Sequence, residues 1–342
     1  MKCLIVGGTG FLGGAMADAI ADAGHETVIL SRGQSQRKGV AGVKVLCADR
    51  DDDLSILKGQ KFDWVFDSCA YTPDMVNNLL DVLGDGIKRY VLISSISAYD
   101  TFSRPDITED IDVPNATEED FVAARKIARK DRAQAPAYGA AYGRLKWACE
   151  ITAAERLGDR VTSLRVGLLV GAGDYTDRLT WWVRRIDEAH DERKQVIAPA
   201  PKSRSVQVID VRDVADFALR CVENGLSGVW NVTSQPIEFS YILDRLIEVS
   251  ASDAEVNWIA EELILDAGVV PWTDLPLMAP AVPEFKYFME VDTSRALAAG
   301  LKCRPLEETL KSVLEWDRRR RDVVLECGLT AEQEAKLLGG GA

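Results

Sequence analysis

Short apolar runs alternate with amphipathic stretches along the first half of the chain. The runs are continuous, as in Val91-Leu92-Ile93, which is typical of parallel strands covered by helices on both faces. The pattern therefore predicts an α/β fold with a doubly wound parallel sheet of right-handed β-α-β units. The predicted strands span residues 2–6, 26–30, 43–47, 62–68, 89–94 and 161–166, and the predicted helices span about 11–23, 51–58, 73–84 and 141–157.

The interval between Tyr99 and Tyr142 interrupts this alternation. It begins with Pro and acidic residues and continues into a stretch, 118–130, that has acidic residues first and basic residues last. Because that order complements a helix dipole, we predict an inserted helix at about 117–134, within a helical insertion at about 101–137.

A glycine-rich turn follows the first predicted strand directly. Its spacing is Gly7-x-x-Gly10-x-x-Gly13, and it leads into the first predicted helix. A helix that begins in this way points unpaired backbone N–H groups and its positive dipole end at one spot, which favours a phosphate. The glycines allow the tight turn, the approach of a pyrophosphate and the packing of helix on strand. We therefore predict a dinucleotide site formed by Gly7, Thr9, Gly10, Phe11, Leu12 and Gly13.

Composition narrows the classes of function. The chain has 342 residues, of which 47% are hydrophobic, and a formal net charge of −13 that opposes nucleic-acid binding. No apolar run approaches the ~20 residues of a membrane span, and the first predicted strand leaves no room for a signal peptide. Seven scattered cysteines without a C-x-x-C pair, and only two histidines, favour a cytoplasmic protein with reduced thiols and no metal site.

The sequence Tyr142-Gly143-Arg144-Leu145-Lys146 places a phenol and an ammonium group on one face of a predicted helix. A nearby positive charge lowers the pKa of a phenol from about 10. We expect Lys146, together with a cationic nicotinamide, to bring the pKa of Tyr142 near neutrality, which takes roughly 3–4 kcal/mol. Such a phenol can exchange a proton with a carbinol oxygen while hydride moves to or from the cofactor, and Ser95 would hydrogen-bond the same oxygen.

Three motifs in this order, Gly7-x-x-Gly10-x-x-Gly13, 94–99 and Tyr142-x-x-x-Lys146, resemble the extended short-chain dehydrogenase/reductases of the epimerase/dehydratase type. The likeness continues through 165–171, 209–215, 228–232 and 292–295, and so spans nearly the whole chain. The resemblance implies a Rossmann-like fold with Ser95, Tyr142 and Lys146 as the catalytic set.

The same resemblance implies further site residues. Asp49 and Arg50, after the third strand, should lie at the adenine, and Ala70 and Tyr71 should line the cofactor cleft and the substrate entrance. The family often dimerises through its Y-x-x-x-K helix, so the helix at 141–157 is a candidate homodimer surface.

The residues that close the second strand bear on the choice of cofactor. An acidic residue there would bind the ribose hydroxyls of NAD, but this chain has Ser31-Arg32, with Arg37 and Lys38 close behind. Arginine presents planar donors suited to a 2′-phosphate, so we predict NADP in preference to NAD. The alternative is that Arg32 only stacks on the adenine, which would tolerate either cofactor.

The substrate side departs from the family pattern. Nucleotide-sugar enzymes of this family usually carry an arginine seven residues before the position of Asp213, where it clamps a diphosphate, but this chain has Val206 there. The insertion and the Pro-rich segment 269–285 would also reshape the pocket. We therefore expect a small-molecule substrate that is contacted by Tyr71, Ser97, Tyr138 and Arg204.

These observations define a leading hypothesis and two alternatives. The leading one is an NAD(P)-dependent oxidoreductase that moves hydride between nicotinamide and a secondary alcohol or ketone, for example of a sugar. The alternatives are a nucleotide-sugar epimerase or dehydratase that retains NAD, and a non-catalytic RNA-binding relative of the fold. We place the dinucleotide-binding domain at 1–170 and a smaller α/β substrate lobe mostly at 171–342, with about 206–225 returning to the first domain.

Overall fold

The computed structural model describes residues 1–33, 43–280 and 282–339. The strands are β1 (Lys2–Val6), β2 (Glu26–Ser31), β3 (Lys44–Cys47), β4 (Phe62–Asp67), β5 (Ile87–Ser95), β6 (Val161–Val166), β7 (Leu168–Val170), β8 (Gln195–Pro199), β9 (Ser205–Val206), β10 (Val208–Asp210), β11 (Gly228–Val232), β12 (Ile237–Glu238) and β13 (Glu255–Ile259). The helices are α1 (Phe11–Asp22), α2 (Pro73–Leu83), α3 (Glu118–Lys126), α4 (Tyr142–Leu157), α5 (Arg178–Asp187), α6 (Val211–Glu223), α7 (Phe239–Ser250), α8 (Glu261–Asp266), α9 (Ser294–Ala298), α10 (Leu306–Asp317) and α11 (Ala331–Gly339). Within these ranges no helix is both long and apolar enough to cross a membrane.

Seven parallel strands form the central sheet, in the order β11-β6-β5-β4-β1-β2-β3. Along β1, Cys3 and Ile5 face a layer that contains α1 and α6, whereas Leu4 and Val6 face a layer that contains α2 and α4. Burial on both faces explains why the strands are continuous apolar runs. The predicted doubly wound, Rossmann-like fold is therefore confirmed.

The rest of the chain contributes both to this sheet and to a second apolar cluster. β11 pairs with β6 at the sheet edge, and α6 packs on α1. A separate cluster surrounds Trp182 of α5 and Phe239 of α7, whose ring centroids lie 4.9 Å apart, and it includes residues of β8 and α10. Small paired strands (β7 with β10, β8 with β13, β9 with β12) complete this region. The predicted domain boundary near 170 remains a prediction.

Two predicted helices are shorter than expected. The predicted helix at 51–58 is wrong, since only Ser55–Leu57 form a single 3-10 turn. The Asp53 carboxylate accepts hydrogen bonds from the Ser55 N–H and hydroxyl, and such local bonds compete with a helix.

The inserted helix begins as predicted but ends early. A capping box between Thr117 and Asp120 starts α3, and Arg144 of α4 fastens it by two 2.9 Å bonds to the Asp120 carboxylate. The chain leaves the helix at Ile127, where the side chain of Arg132 donates to the Ile127 carbonyl. Residues 127–134 therefore hold a single 3-10 turn, Arg129–Asp131, rather than the second half of an α-helix.

Candidate active site

A cavity of about 540 Å³ lies at the carboxyl ends of the parallel strands, where ligands bind in this kind of sheet. It brings together most of the residues that the sequence singled out. Those that line it are Gly7, Thr9, Gly10, Phe11, Leu12, Gly13, Ser31, Arg32, Asp49, Arg50, Tyr71, Ser95, Tyr142 and Lys146.

The glycine turn at one end of the cavity has no room for side chains. Gly7 has a φ of +79°, a region that favours glycine, and a Cβ on Gly13 would lie 2.3 Å from the Gly7 carbonyl oxygen. Gly10 caps α1 without a side-chain hydrogen bond, and the first turn of α1 holds no acidic residue. The N–H groups at this helix start are therefore directed at the cavity, an arrangement that fits a pyrophosphate.

The end of the cavity that we predict to receive adenosine, named the adenosine end, carries a cluster of charges. Burial opposes the ionisation of Asp49, but hydrogen bonds from the Asp51 N–H and the Arg129 side chain, with the charges of Arg129 and Arg32, hold its pKa below the usual value. Arg32 lines the cavity beside it. Arg37 and Lys38, which supported the NADP prediction, lie outside the described residues.

Arg50 lines the cavity, but its charge is already paired. The buried guanidinium donates to both carboxylate oxygens of Asp67, at 2.5 and 2.9 Å, and to the Met75 carbonyl oxygen. Tyr90 donates to the same carboxylate at 2.7 Å. Arg50 therefore supports the floor of the cavity. Asp49 and Arg50 were both predicted to lie at the adenine, but only the Asp49 side chain belongs to the cluster of charges around Arg129 and Arg32.

The predicted catalytic residues meet at the other end. Ser95 ends β5 and lines the cavity together with Tyr142, and its hydroxyl accepts from the Ser97 N–H at 3.1 Å. Lys146 is only 2% exposed and donates to the carbonyl oxygens of Ala70, at 2.7 Å, and of Ile93. Ala70 thus contributes its main chain, as support for Lys146, and is not itself part of the cavity wall.

Gly143 makes this meeting possible, although the sequence reasoning passed over it. A Cβ on Gly143 would lie 1.9 Å from the Ser97 carbonyl oxygen, so α4 touches the turn that follows β5 backbone to backbone. A glycine directly after Tyr142 is the sequence feature that could have indicated this close approach.

The pKa of Tyr142 is raised by its protein surroundings. Burial raises it to about 12, and the neighbouring Ser95 hydroxyl only partly opposes that rise. Lys146 directs its ammonium hydrogens at two main-chain carbonyls, and burial lowers its own pKa. The protein residues alone therefore hold the phenol neutral, and the expected lowering of this pKa by Lys146 together with a cationic nicotinamide stays a prediction.

The predicted substrate residues separate into near and distant ones. Tyr71 lines the cavity, with its ring centroid 6.2 Å from that of Tyr142. The Tyr138 ring stacks on that of Tyr71, with 5.0 Å between the ring centroids, and the Ser97 N–H donates to the Ser95 hydroxyl. Neither Tyr138 nor Ser97 belongs to the cavity lining. Arg204 does not reach the cavity, since it pairs with Glu261 and donates to the Ala200 carbonyl oxygen.

Two groups of lining residues were not predicted. One follows β7 and comprises Asp174, Tyr175, Thr176 and Arg178. Burial raises the pKa of Asp174, whose carboxylate accepts from the Thr176 N–H and hydroxyl, and Arg178 lies over the Trp272 ring at 4.9 Å. The second group comes from the insertion and comprises Arg129, Arg132, Ala133, Gln134 and Ala135. No short motif marks either group, because their position depends on how distant segments pack.

The fold and this site define a Rossmann-like α/β protein whose cavity is lined by Ser95, Tyr142 and Lys146. The chain belongs to the NAD dependent epimerase/dehydratase family, since the model of that family matches residues 3–233. The family resemblance is thereby confirmed. No curated protein sequence matches the chain. Among the described residues, no three metal-binding side chains (His, Cys, Asp or Glu) are grouped to hold an ion.

Solved structures share the fold at low sequence identity. UDP-glucuronic acid 4-epimerase from Bacillus cereus, in complex with NAD, matches with a TM-score of 0.64 and 14% identity, over 93% of this chain and 99% of that one. The Bordetella bronchiseptica enzyme WbmH, in complex with NAD+, matches with a TM-score of 0.63 and 17% identity, over 93% and 99%. UDP-N-acetylglucosamine 4-epimerase from Methanobrevibacter ruminantium M1 matches with a TM-score of 0.62 and 17% identity, over 93% and 98%.

Proposed function

We propose that the protein is an NAD(P)-dependent oxidoreductase that acts on a secondary alcohol or ketone of a small molecule. The observation that carries this proposal is that Ser95, Tyr142 and Lys146 line the same cavity as the glycine turn. Family membership supports a nicotinamide cofactor, and so do two structural neighbours that hold NAD. When bound, the cofactor would supply the hydride chemistry.

The dinucleotide would lie along the cavity. Gly7, Gly10 and Gly13 would receive its pyrophosphate, and Arg32 and Asp49 its adenosine end. We keep the preference for NADP as part of the proposal, because Arg32 stands where an acidic residue would bind the ribose of NAD.

Tyr142 would hold and move the proton in this reaction. In the reductive direction its neutral phenol donates a proton to the carbonyl oxygen of the substrate, and in the oxidative direction the phenolate must form. Ser95 orients the substrate oxygen toward the phenol. Lys146, fixed by two carbonyls, adds a buried positive charge that favours phenolate once a second positive charge lies nearby.

The lobe beyond residue 170 would supply the substrate contacts. Asp174, Tyr175, Thr176 and Arg178 come from this lobe and line the cavity on the substrate side, and Tyr71 lines it from the first domain. These residues replace Arg204, Ser97 and Tyr138 as the proposed substrate contacts.

A nucleotide-sugar epimerase or dehydratase with retained NAD is the second candidate. Family membership and two neighbours that are UDP-sugar 4-epimerases favour it. Val206 and the pairing of Arg204 with Glu261 favour a different substrate, since neither residue offers a free cation for a diphosphate. Identifying the dinucleotide that co-purifies with the protein, and its redox state, separates the two candidates: an epimerase retains NAD, whereas an oxidoreductase exchanges its cofactor.

The catalytic assignment is tested with Tyr142→Phe, and with Tyr241→Phe as the matched control, since Tyr241 is exposed and lies outside the cavity lining. Absorbance of the nicotinamide band is followed with NADPH or NADP and a panel of ketones and secondary alcohols. Loss of the acid–base group should lower kcat/KM at least about 100-fold, whereas the control should stay within about threefold. Full activity of Tyr142→Phe on a substrate turned over by the wild type would overturn the role of Tyr142.

A further inference from the structure

A segment of the insertion, residues 128–135, crosses the adenosine end of the cavity. We call this segment the strap. Five of its eight residues line the cavity: Arg129, Arg132, Ala133, Gln134 and Ala135. The strap is therefore a wall of the site, formed by a part of the chain that lies outside the glycine turn and the strand ends.

Two stacked phenols fix the main chain of the strap. Tyr71 donates to the Ala133 carbonyl oxygen at 3.2 Å, and Tyr138 donates to the Arg132 carbonyl oxygen at 2.8 Å. The rings of these two tyrosines stack at 5.0 Å. The two tyrosines thus hold the backbone of the strap in place independently of the Arg129 side chain.

The strap carries positive charge to the loop that follows β3. Nε of Arg129 donates to Asp49 at 3.0 Å, and its Nη2 lies 2.5 Å from Asp52. Arg132 lies 3.6 Å from Asp51. The side chain of Arg129 is 50% exposed and that of Asp52 is 62% exposed, and ion pairs at such positions stabilise little, so other anions can replace the aspartates.

Arg129 and Arg32 approach Asp49 from different elements. Arg32 follows β2 and Arg129 belongs to the strap, and the charges of both act on the Asp49 carboxylate. Arg32, Asp49 and Arg129 also line one cavity, at the part where the ribose of the proposed dinucleotide would lie.

We propose that Arg129 is a cofactor-specificity residue that joins Arg32 in binding the 2′-phosphate of NADP. This inference rests on the proposed dinucleotide site. Arginine binds phosphate through charge-assisted, often bidentate hydrogen bonds, which are stronger than an exposed pair with a carboxylate. Binding exchanges the Asp49 and Asp52 partners of Arg129 for the phosphate, whereas NAD offers no group for that exchange.

The test compares Arg129→Gln with Arg125→Gln. Arg125 lies on α3 of the same insertion and pairs with exposed Glu118 at 2.7 Å, so its replacement makes the same charge change away from the cavity. Dissociation constants for NADPH and NADH are measured by fluorescence titration. We expect Arg129→Gln to weaken NADPH about fivefold and NADH less than twofold, because only the phosphate contact is lost. Arg129→Lys should fall between, and Arg125→Gln should match the wild type.

Equal losses for the two dinucleotides, or equal behaviour of Arg129→Gln and Arg125→Gln, would overturn this inference while leaving the proposed function intact. A wild type that binds neither dinucleotide would overturn the proposed function, and the specificity role with it. Thermal unfolding of each variant separates a lost contact from a lost fold.

Discussion

The two ends of the cavity are built from different kinds of contact. At the catalytic end, Ser95, Tyr142 and Lys146 come from adjacent secondary-structure elements, and Lys146 is buried with main-chain partners. At the adenosine end, Arg129 and Asp52 meet across half-exposed surface from segments far apart in the chain. The catalytic end is therefore fixed by packing, and the adenosine end by charges that can exchange partners.

A buried ion pair stands directly behind the catalytic end. Glu150 of α4 and Arg165 of β6 are 2% and 1% exposed and are joined by bonds of 3.0 and 2.9 Å. Ser94, next to Ser95, donates to the same carboxylate, and Arg165 lies over the Tyr99 ring at 4.7 Å. The pair locks α4 to β5 and β6, so we expect damage there to reach both stability and catalysis.

The largest effect is expected from Glu150→Gln. Removing the charge leaves the Arg165 guanidinium buried without its counter-charge, and breaking such a pair costs about 3–5 kcal/mol. Urea unfolding of the wild type and the variant measures this change in the free energy of unfolding. Glu118→Gln, which removes the partner of Arg125 at the surface, should change it by less than about 0.5 kcal/mol. Similar losses in the two variants would show that the contrast between buried and exposed pairs is wrong.

A second large effect is expected from Gly143→Ala. The added Cβ would overlap the Ser97 carbonyl oxygen, so α4 must shift and carry Tyr142 away from Ser95. We expect a loss of about 2–3 kcal/mol in the free energy of unfolding, together with loss of any turnover that depends on Tyr142. Gly339→Ala is the control, because among the described residues nothing beyond its chain neighbours lies within 4 Å of its Cβ position. A stable, fully active Gly143→Ala protein would contradict the close approach of α4.

The raised pKa of Tyr142 predicts a smaller effect in alkali. The pKa of the phenol is about 10 in the unfolded chain and about 12 in the folded one. The contribution of the neutral phenol to stability is therefore present below pH 10 and is lost as the pH rises toward 12. Between about pH 9 and pH 11 the wild type should lose about 1 kcal/mol more than Tyr142→Phe. Urea unfolding at the two pH values measures this, with Tyr241→Phe as an exposed control. Equal pH dependence in wild type and Tyr142→Phe would contradict the shift.

The same contrast explains what the sequence could predict. Continuous apolar runs gave the sheet, because burial on both faces constrains every residue of a strand. The glycine turn and the Tyr142–Lys146 spacing could be located from the sequence, because both are short-range geometry on one element. The pairing of Arg50 with Asp67 could not be predicted, because Asp67 lies on the next strand along the chain.

The position of the strap could not be predicted either, because it depends on contacts between residues far apart in the chain. The bond between Arg129 and Asp49 joins residues 80 positions apart, and nothing in the local pattern of either segment requires it. The order of acidic and basic residues located α3, but the end of that helix depends on Arg132 folding back onto the Ile127 carbonyl. Contacts between distant polar side chains at a surface leave little trace in hydrophobic periodicity.

The smallest effect is expected from Asp52→Asn, which tests directly whether Arg129 exchanges its carboxylate partner for a phosphate. Because Asp52 competes for Arg129, its neutralisation should strengthen NADPH binding about twofold, with the free energy of unfolding changed by less than about 0.5 kcal/mol. Asp53→Asn is the control, since Asp53 lies in the same loop but bonds only within it, to Ser55. Titration with NADPH and NADH separates a specific exchange from a general gain in positive potential. Equal gains in the two variants would mean that the loop acts only through its net charge, whereas a gain confined to Asp52→Asn and to NADPH would mean that Arg129 changes partner when the phosphate binds.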